Sequence, residues 1–182
     1  VDVNLALDYT RQRNALNLGR AEAPLLQVNL AGGVNVLQPA PTGDWEFESR
    51  TSFTGDEGQD LDHGGVALTV GWDMSDDWRF KSITGYRDLD VDNYVDIDAS
   101  QWELGDVFVG VDQDQLSQEF QFLFDDGGRL NAVFGLYYLN ESITSHQEAY
   151  ADDFLVFGPL PLTFMRTVDD DLDTDSYAAF GQ

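Results

Sequence analysis

Few residues in this chain offer chemistry of their own. Histidine occurs twice, at His63 and His146, and neither has a partner motif that would activate a nucleophile or complete a metal site. Cysteine is absent, which removes disulfides and Cys-based zinc sites. Carboxylates are the opposite case: 34 Asp and Glu stand against nine Lys and Arg, a formal net charge of −25. An acid pair of the glycosidase kind cannot be picked from so many without geometry. No catalytic residue is assigned, and the chain is not read as an enzyme.

One acidic series is Asp88, Asp90, Asp92, Asp96 and Asp98. Such oxygens suit a hard cation like Ca²⁺, but the glycine-bearing loop of an EF-hand is missing. The series is therefore read as a solvated acidic loop, as is the cluster Asp169, Asp170, Asp171, Asp173 and Asp175. No metal ligand set and no cofactor is assigned.

Composition narrows the partners. A nucleic-acid backbone is held by clustered Lys and Arg, whereas the only lysine here is Lys81. Aromatic residues make up 13% of the chain, too many for an acidic disordered tail. No run of about 18 apolar residues forms a transmembrane helix, but a barrel strand crosses with about 9–11 residues, only one face of which is apolar.

Alternation is the main structural signal. From Val1 to Arg11 the odd positions read Val1, Val3, Leu5, Leu7, Tyr9, and the even positions are mostly polar, as in a strand with one apolar face. Similar strands are expected over 65–73, 78–87, 115–124, 129–140 and 175–182. Their apolar faces carry, among others, Val66, Leu68, Val70 and Trp72, then Trp78, Phe80 and Tyr86, then Leu116, Phe120, Phe122 and Phe124, then Phe134, Leu136 and Tyr138. Long polar segments (12–63, 88–114 and 141–174) alternate with the short turns Met74-Ser75-Asp76-Asp77 and Asp125-Asp126-Gly127-Gly128. Within the first long segment, 25–37 alternates around Gly32-Gly33 and predicts a small hairpin.

Short turns at one end and long loops at the other are the habit of outer-membrane barrels. Trp72, Trp78 and Phe124 flank the short turns, while Tyr9, Tyr86 and Tyr138 sit near the opposite strand ends. Trp and Tyr favour bilayer interfaces because they combine an apolar body with a polar tip. The expected fold is all-β: an antiparallel up-and-down meander of about six amphipathic strands, forming a partial transmembrane β-barrel with long loops at one end. The alternative is a soluble extracellular β-sandwich binding module of the carbohydrate-binding type, whose apolar faces would meet in a sealed core.

The stretch LTVGWDMSDDWRFKSITGYRDLDVDNYVDID, Leu68 to Asp98, resembles a barrel hairpin of TonB-dependent outer-membrane receptors, with Lys81-Ser82-Ile83-Thr84-Gly85-Tyr86-Arg87 its most characteristic part. DQDQLSQEFQF (112–122), VFGLYY (133–138) and SYAAFGQ (176–182) resemble the strands that follow, in the same order. The resemblance covers 64–182 and implies an internal segment of a barrel of about 22 strands, with plug, TonB box and closing strand lying outside residues 1–182. It further implies a place in the bacterial outer membrane, where the lipid bilayer, a small nutrient ligand (siderophore, cobalamin or glycan) and TonB, through a plug-side segment, are the partners. If Trp78, Phe80 and Tyr86 face lipid, then Arg79, Lys81 and Arg87 point inward, because a charge at the bilayer midplane costs about 2–4 kcal/mol. There they would contact plug or ligand, or pair with neighbours such as Asp73 and Glu119. The apolar run FLVFGPLPLTFM, 154–165, is expected in a loop, as a binding patch or packed on adjacent loops.

Overall fold

The computed structural model describes residues 1–16, 18–28, 31–43, 49–55, 57–153 and 164–182. Eight strands follow one another: β1 (Asp2–Ala15), β2 (Leu25–Val28), β3 (Val34–Gln38), β4 (Gly58–Asp73), β5 (Trp78–Asp96), β6 (Asp106–Asp125), β7 (Asn131–Ala151) and β8 (Phe164–Gly181). Six of them form one antiparallel sheet in the order β1-β4-β5-β6-β7-β8, and β2 pairs with β3 in a separate hairpin. Leaving that hairpin aside, every neighbour in space is the neighbour in sequence, which is an up-and-down meander. β1 and β8 do not pair with each other, so the sheet is open at both edges.

Local chemistry fixes the turns. Between β4 and β5, Met74 N–H donates to the Trp78 carbonyl at 2.9 Å, and the Ser75 hydroxyl accepts from Trp78 N–H at 3.2 Å. Between β6 and β7, Asp125 and Asp126 carboxylates accept from the N–H groups of Gly127 (2.8 Å) and Gly128 (2.7 Å). Gly127 takes φ of 68°, a conformation that only glycine enters freely. The expected small hairpin is present as β2–β3, with Gly32 at φ of 81° between its strands.

The strands run much further than alternation alone indicated. β5 continues to Asp96 instead of ending at Arg87, and β6 starts at Asp106 instead of Gln115. β7 reaches Ala151 and β8 starts at Phe164. Most of the acidic series taken for loops is therefore ladder: Asp88, Asp90 and Asp92 lie in β5, and Asp169 to Asp175 lie in β8. The β5–β6 connection shrinks to 97–105. Long connections still stand at one end of the sheet and short turns at the other. Of the run 154–165, residues 154–163 lie outside the described residues, and Phe164 and Met165 open β8.

No hydrophobic core closes over this sheet. Among the described residues the buried apolar side chains are Ala99 and Ala151, at 7% and 2% exposure. A sandwich would bury Leu5, Val70, Phe80, Phe122 and Phe134 between two layers. Among the described residues no second layer covers them, and Leu5 is 61% exposed.

Candidate functional site

Cross-strand register sorts the side chains into two faces. Trp72, Phe80, Phe122 and Phe134 stand on one rung, and Val3, Val70, Ser82, Phe120 and Leu136 on the next rung of the same face. Together with Leu5, Leu7, Leu68, Val66, Tyr86, Leu116 and Tyr138 they form an apolar band. Aromatic pairs knit it: Trp78 with Phe124 at 5.0 Å between ring centroids, Phe80 with Phe122 at 5.1 Å, and Tyr138 with Tyr177 at 5.0 Å. Polar side chains interrupt it near the middle and are bonded to one another. Thr84 Oγ1 donates to Gln118 Oε1 at 2.6 Å, and Gln118 Nε2 donates to Ser82 Oγ at 3.0 Å and to the Ile83 carbonyl at 3.1 Å.

The band crosses the rungs obliquely. On its upper margin Tyr9 lies level with Asp88, Tyr86 is two residues lower, and Tyr138 and Tyr177 are level with Thr84. The drop is 88 − 84 = 4 residues over four strand intervals to β7 and five to β8. With about 3.3 Å per residue and about 4.8 Å between strands, this slope corresponds to roughly 30–35°.

Above that margin the two faces exchange polarity. Close to that margin, the face opposite the band carries Asp8, Gly65, Arg87, Gln115 and Glu141 on one rung. One rung higher the same face gains aliphatic residues at half of its positions, Leu89, Ile143 and Leu172 beside Thr10, His63 and Gln113, and on the next rung Leu61, Val91 and Val111 beside Gln12, Ser145 and Asp170. On the band face the aspartates take over: Asp62, Asp90, Asp112 and Asp171 share a rung that also carries Arg11 and Thr144. At the β1–β4 end this charge is compensated: Asp62 accepts from Tyr9 at 2.5 Å and from Arg13, and Arg13 Nε lies 3.2 Å from Asp60. These bonds, led by that from Tyr9, hold the Asp62 carboxyl below its ordinary pKa. In β5 and β6 there is no such relief. Burial, then the bond to Asp112, raises Asp90.

Arg79, Lys81 and Arg87 all lie on the face opposite the band. Arg79 pairs with Asp73 at 2.7 Å and with Asp2. Arg87 lies 3.7 Å from Asp8 and 3.1 Å from His63 Nε2. Lys81, set between Gly71 and Gln121, has no ion pair among the described residues. Glu119 accepts from Gln121 at 2.5 Å. The histidines are apart: His63 belongs to this face in β4, whereas His146 stands on the other face, between Asp169 at 2.5 Å and Glu148 at 2.9 Å.

The most enclosed part of the chain is the tip of the β5–β6 hairpin. Asp106 is 1% exposed and Ser100 equally so, with Asp96, Ala99 and Gln38 also buried. Gln38, at the end of β3, donates to the Ala99 carbonyl at 3.3 Å, and Ser52 donates to Asp106 Oδ2 at 2.5 Å, so the long β1–β4 connection folds over this tip. Ala99 N–H donates to Asp96 Oδ1 at 2.8 Å, with Ala99 in the left-handed region at φ of 52°. Leu104 N–H donates to Asp98 Oδ2 at 3.3 Å. One oxygen from each of Asp96, Asp98 and Asp106 lies within 4.8 Å of the others. Burial and the neighbouring carboxylates push Asp106 up to about 6, against a Ser52 bond that lowers it. Asp96 and Asp98 belong to the acidic series noted from sequence. Asp106 is missed there, because only the ladder places it directly opposite Asp96.

No protein-family model, no curated protein and no solved structure matches the chain.

Proposed function

We propose that this sheet is a wall segment of an outer-membrane β-barrel of the TonB-dependent receptor type, contributing barrel surface and outer loops to nutrient uptake. The observation that carries this is the exchange of polarity between the faces at the upper margin of the band. A strand in a soluble sandwich keeps the same face apolar along its length, because its core lies on one side throughout. A strand leaving a membrane has hydrocarbon outside it at one height and water at the next, so the outer face must turn polar there.

Three further features support it. A band sloping roughly 30–35° across the rungs is what a flat hydrocarbon slab requires of strands tilted about 35–45°, as in barrels. Trp78 to Tyr86 spans eight residue steps, roughly 26 Å along the strand and about 20 Å along the normal, close to the apolar belt of about 25 Å in such barrels. The Ser82–Thr84–Gln118 cluster satisfies its polar groups internally, as hydrocarbon demands. The open edges of β1 and β8 present unpaired backbone groups, which further barrel strands would take up. On the inner face Arg79 and Arg87 have local partners, so Lys81 is the cation best placed to meet a plug carboxylate or an anionic part of the nutrient.

The absence of cysteine makes a clean test simple. A fluorophore on single cysteines at 68, 122 and 136 in lipid-reconstituted chain should be quenched by brominated acyl chains. The same label at 67, 119 and 121 should respond to aqueous iodide instead. Equal iodide access at both sets would sink the proposal.

A further inference from the structure

We propose that Asp96, Asp98 and Asp106 form a Ca²⁺ site that ties the tip of the β5–β6 hairpin to the long connection folded over it. Each carboxylate uses one oxygen in a structural hydrogen bond: Asp96 with Ala99 N–H, Asp98 with Leu104 N–H, Asp106 with the Ser52 hydroxyl. The remaining oxygens, Asp96 Oδ2, Asp98 Oδ1 and Asp106 Oδ1, are buried and have no hydrogen-bond partner. Among the described residues, no lysine, arginine or histidine pairs with any of the three.

Two observations separate this nest from the many other acidic positions. Asp88, Asp90 and Asp92 in β5 and the aspartates of β8 are exposed, on a surface that water reaches, where a carboxylate needs no cation. Asp106 is 1% exposed and Asp96 is 7% exposed, so their open oxygens have lost water without gaining a donor. A buried, unpaired carboxylate is costly, and buried charges are normally paired or coordinate metals. Second, the spacing suits one ion. Oxygens each about 2.3–2.6 Å from a shared Ca²⁺ lie up to about 5 Å apart, and one oxygen from each of the three carboxylates lies within 4.8 Å of the others. The ligand set is oxygen only, as a hard cation prefers.

This inference does not depend on the sheet lying in a membrane, because the nest is above the apolar band. The test is calorimetric titration of the full chain in detergent micelles with CaCl₂, at about 0.15 M NaCl to screen the exposed aspartates. The expected result is a single saturable site. Asp106→Asn and Asp98→Asn should each weaken it about tenfold or more, while Asp90→Asn, on the exposed face of β5, leaves it unchanged. Asparagine keeps the shape and removes a charge from a crowded set, so both variants should melt no lower than the parent without Ca²⁺. Only the parent should gain markedly in melting temperature when Ca²⁺ is added. If Asp106→Asn does not fold, Asp98→Asn, on the connecting segment, decides the same question. Affinity that persists in Asp98→Asn, or falls as far in Asp90→Asn, overturns the proposal, as does the absence of any saturable site.

Discussion

Replacing Phe120 by arginine tests the solvent of the apolar band directly. Phe120 stands level with Ser82, the midpoint between Trp78 and Tyr86. A cation on the lipid face at that depth costs about 2–4 kcal/mol, and the cost falls to about 0–1 kcal/mol near the interface. Leu116 provides the shallow comparison, since it lies four residues higher on the same face, level with Tyr86. Four residues are roughly 13 Å along the strand at about 3.3 Å each, and about 10 Å along the normal, half of the Trp78–Tyr86 span. Phe120 also stacks on Phe80, at 5.9 Å between centroids, an aromatic contact of about 0.5–1.5 kcal/mol. Alanine at each position removes that packing term, and the Arg-minus-Ala difference isolates the charge. The assay is urea-driven unfolding from phospholipid vesicles, followed by tryptophan fluorescence. The difference should be about 2–4 kcal/mol at 120 and about 0–1 kcal/mol at 116. Gln121→Arg, at nearly the same height on the opposite face and beside Glu119, should change stability by less than about 0.5 kcal/mol. A difference near zero at 120 would mean that the band faces water. A large penalty at both 116 and 120 would mean protein packing, and either result refutes the slab argument.

Other expectations come from particular contacts. A Cβ on Gly135 would lie 2.0 Å from Phe180 Cζ, so Gly135→Ala must displace that ring from the β7–β8 pairing. A loss of about 1–3 kcal/mol is expected, largely restored by adding Phe180→Ala; equal stability of Gly135→Ala and the parent would show that the ring moves freely. His146 is raised by its bonds to Asp169 and then Glu148, so this contact stabilises the fold below the ordinary histidine range and is lost as pH rises through the raised value. Proton NMR should place its midpoint above about 6.5 and Asp169→Asn should lower it, whereas a midpoint at or below that value contradicts the contact. Face-to-face aspartates at Asp88–Asp114 and Asp90–Asp112 repel across the ladder. Raising salt from about 0.01 M to 1 M shortens the screening length from about 30 Å to 3 Å, and amide exchange at 88–92 should slow; exchange that quickens would argue against repulsion.

How much of this was legible in the sequence depended on where alternation kept its phase. Residues 78–87 alternate with Trp78, Phe80 and Tyr86 on one face, and the structure keeps that face intact. At Arg87-Asp88 the phase reverses: the even positions become Asp88, Asp90 and Asp92, and the odd positions become Leu89 and Val91. A search for one apolar face loses the strand there, and aspartate, depleted in strands, invites a loop assignment. The period-two signal itself continues as far as Asp92 and is broken by Asn93 and Tyr94, although the strand runs on to Asp96. The β2–β3 hairpin was legible from Gly32-Gly33 between short apolar runs. The carboxylate nest was not, because the partnership of Asp96 with Asp106 depends on hairpin register, and burial by Gln38 and Ser52 depends on how the long β1–β4 connection folds over the tip.

The reversal also explains how one ladder can satisfy opposite demands. In its lower half the band face is mostly aliphatic and aromatic, and the opposite face mixes small, charged and apolar side chains, with Gly71, Gly85 and Gly135 among the small ones. In its upper half the band face carries aspartates among other polar residues such as Arg11 and Thr144, while Leu61, Val91 and Val111 stand on the opposite face. Neither half would hold its arrangement in the other's surroundings: aspartates cannot enter hydrocarbon, and an aliphatic belt exposed to water invites association. What joins them is the continuous hydrogen-bonded ladder, running from Trp78 to Asp96 in β5 without a register shift. The like-charge repulsion of the upper half is therefore borne by backbone pairing that continues from the lower half. At the far tip, where burial removes water as well, backbone pairing alone no longer suffices, and that is where three carboxylates converge on a position suited to a cation.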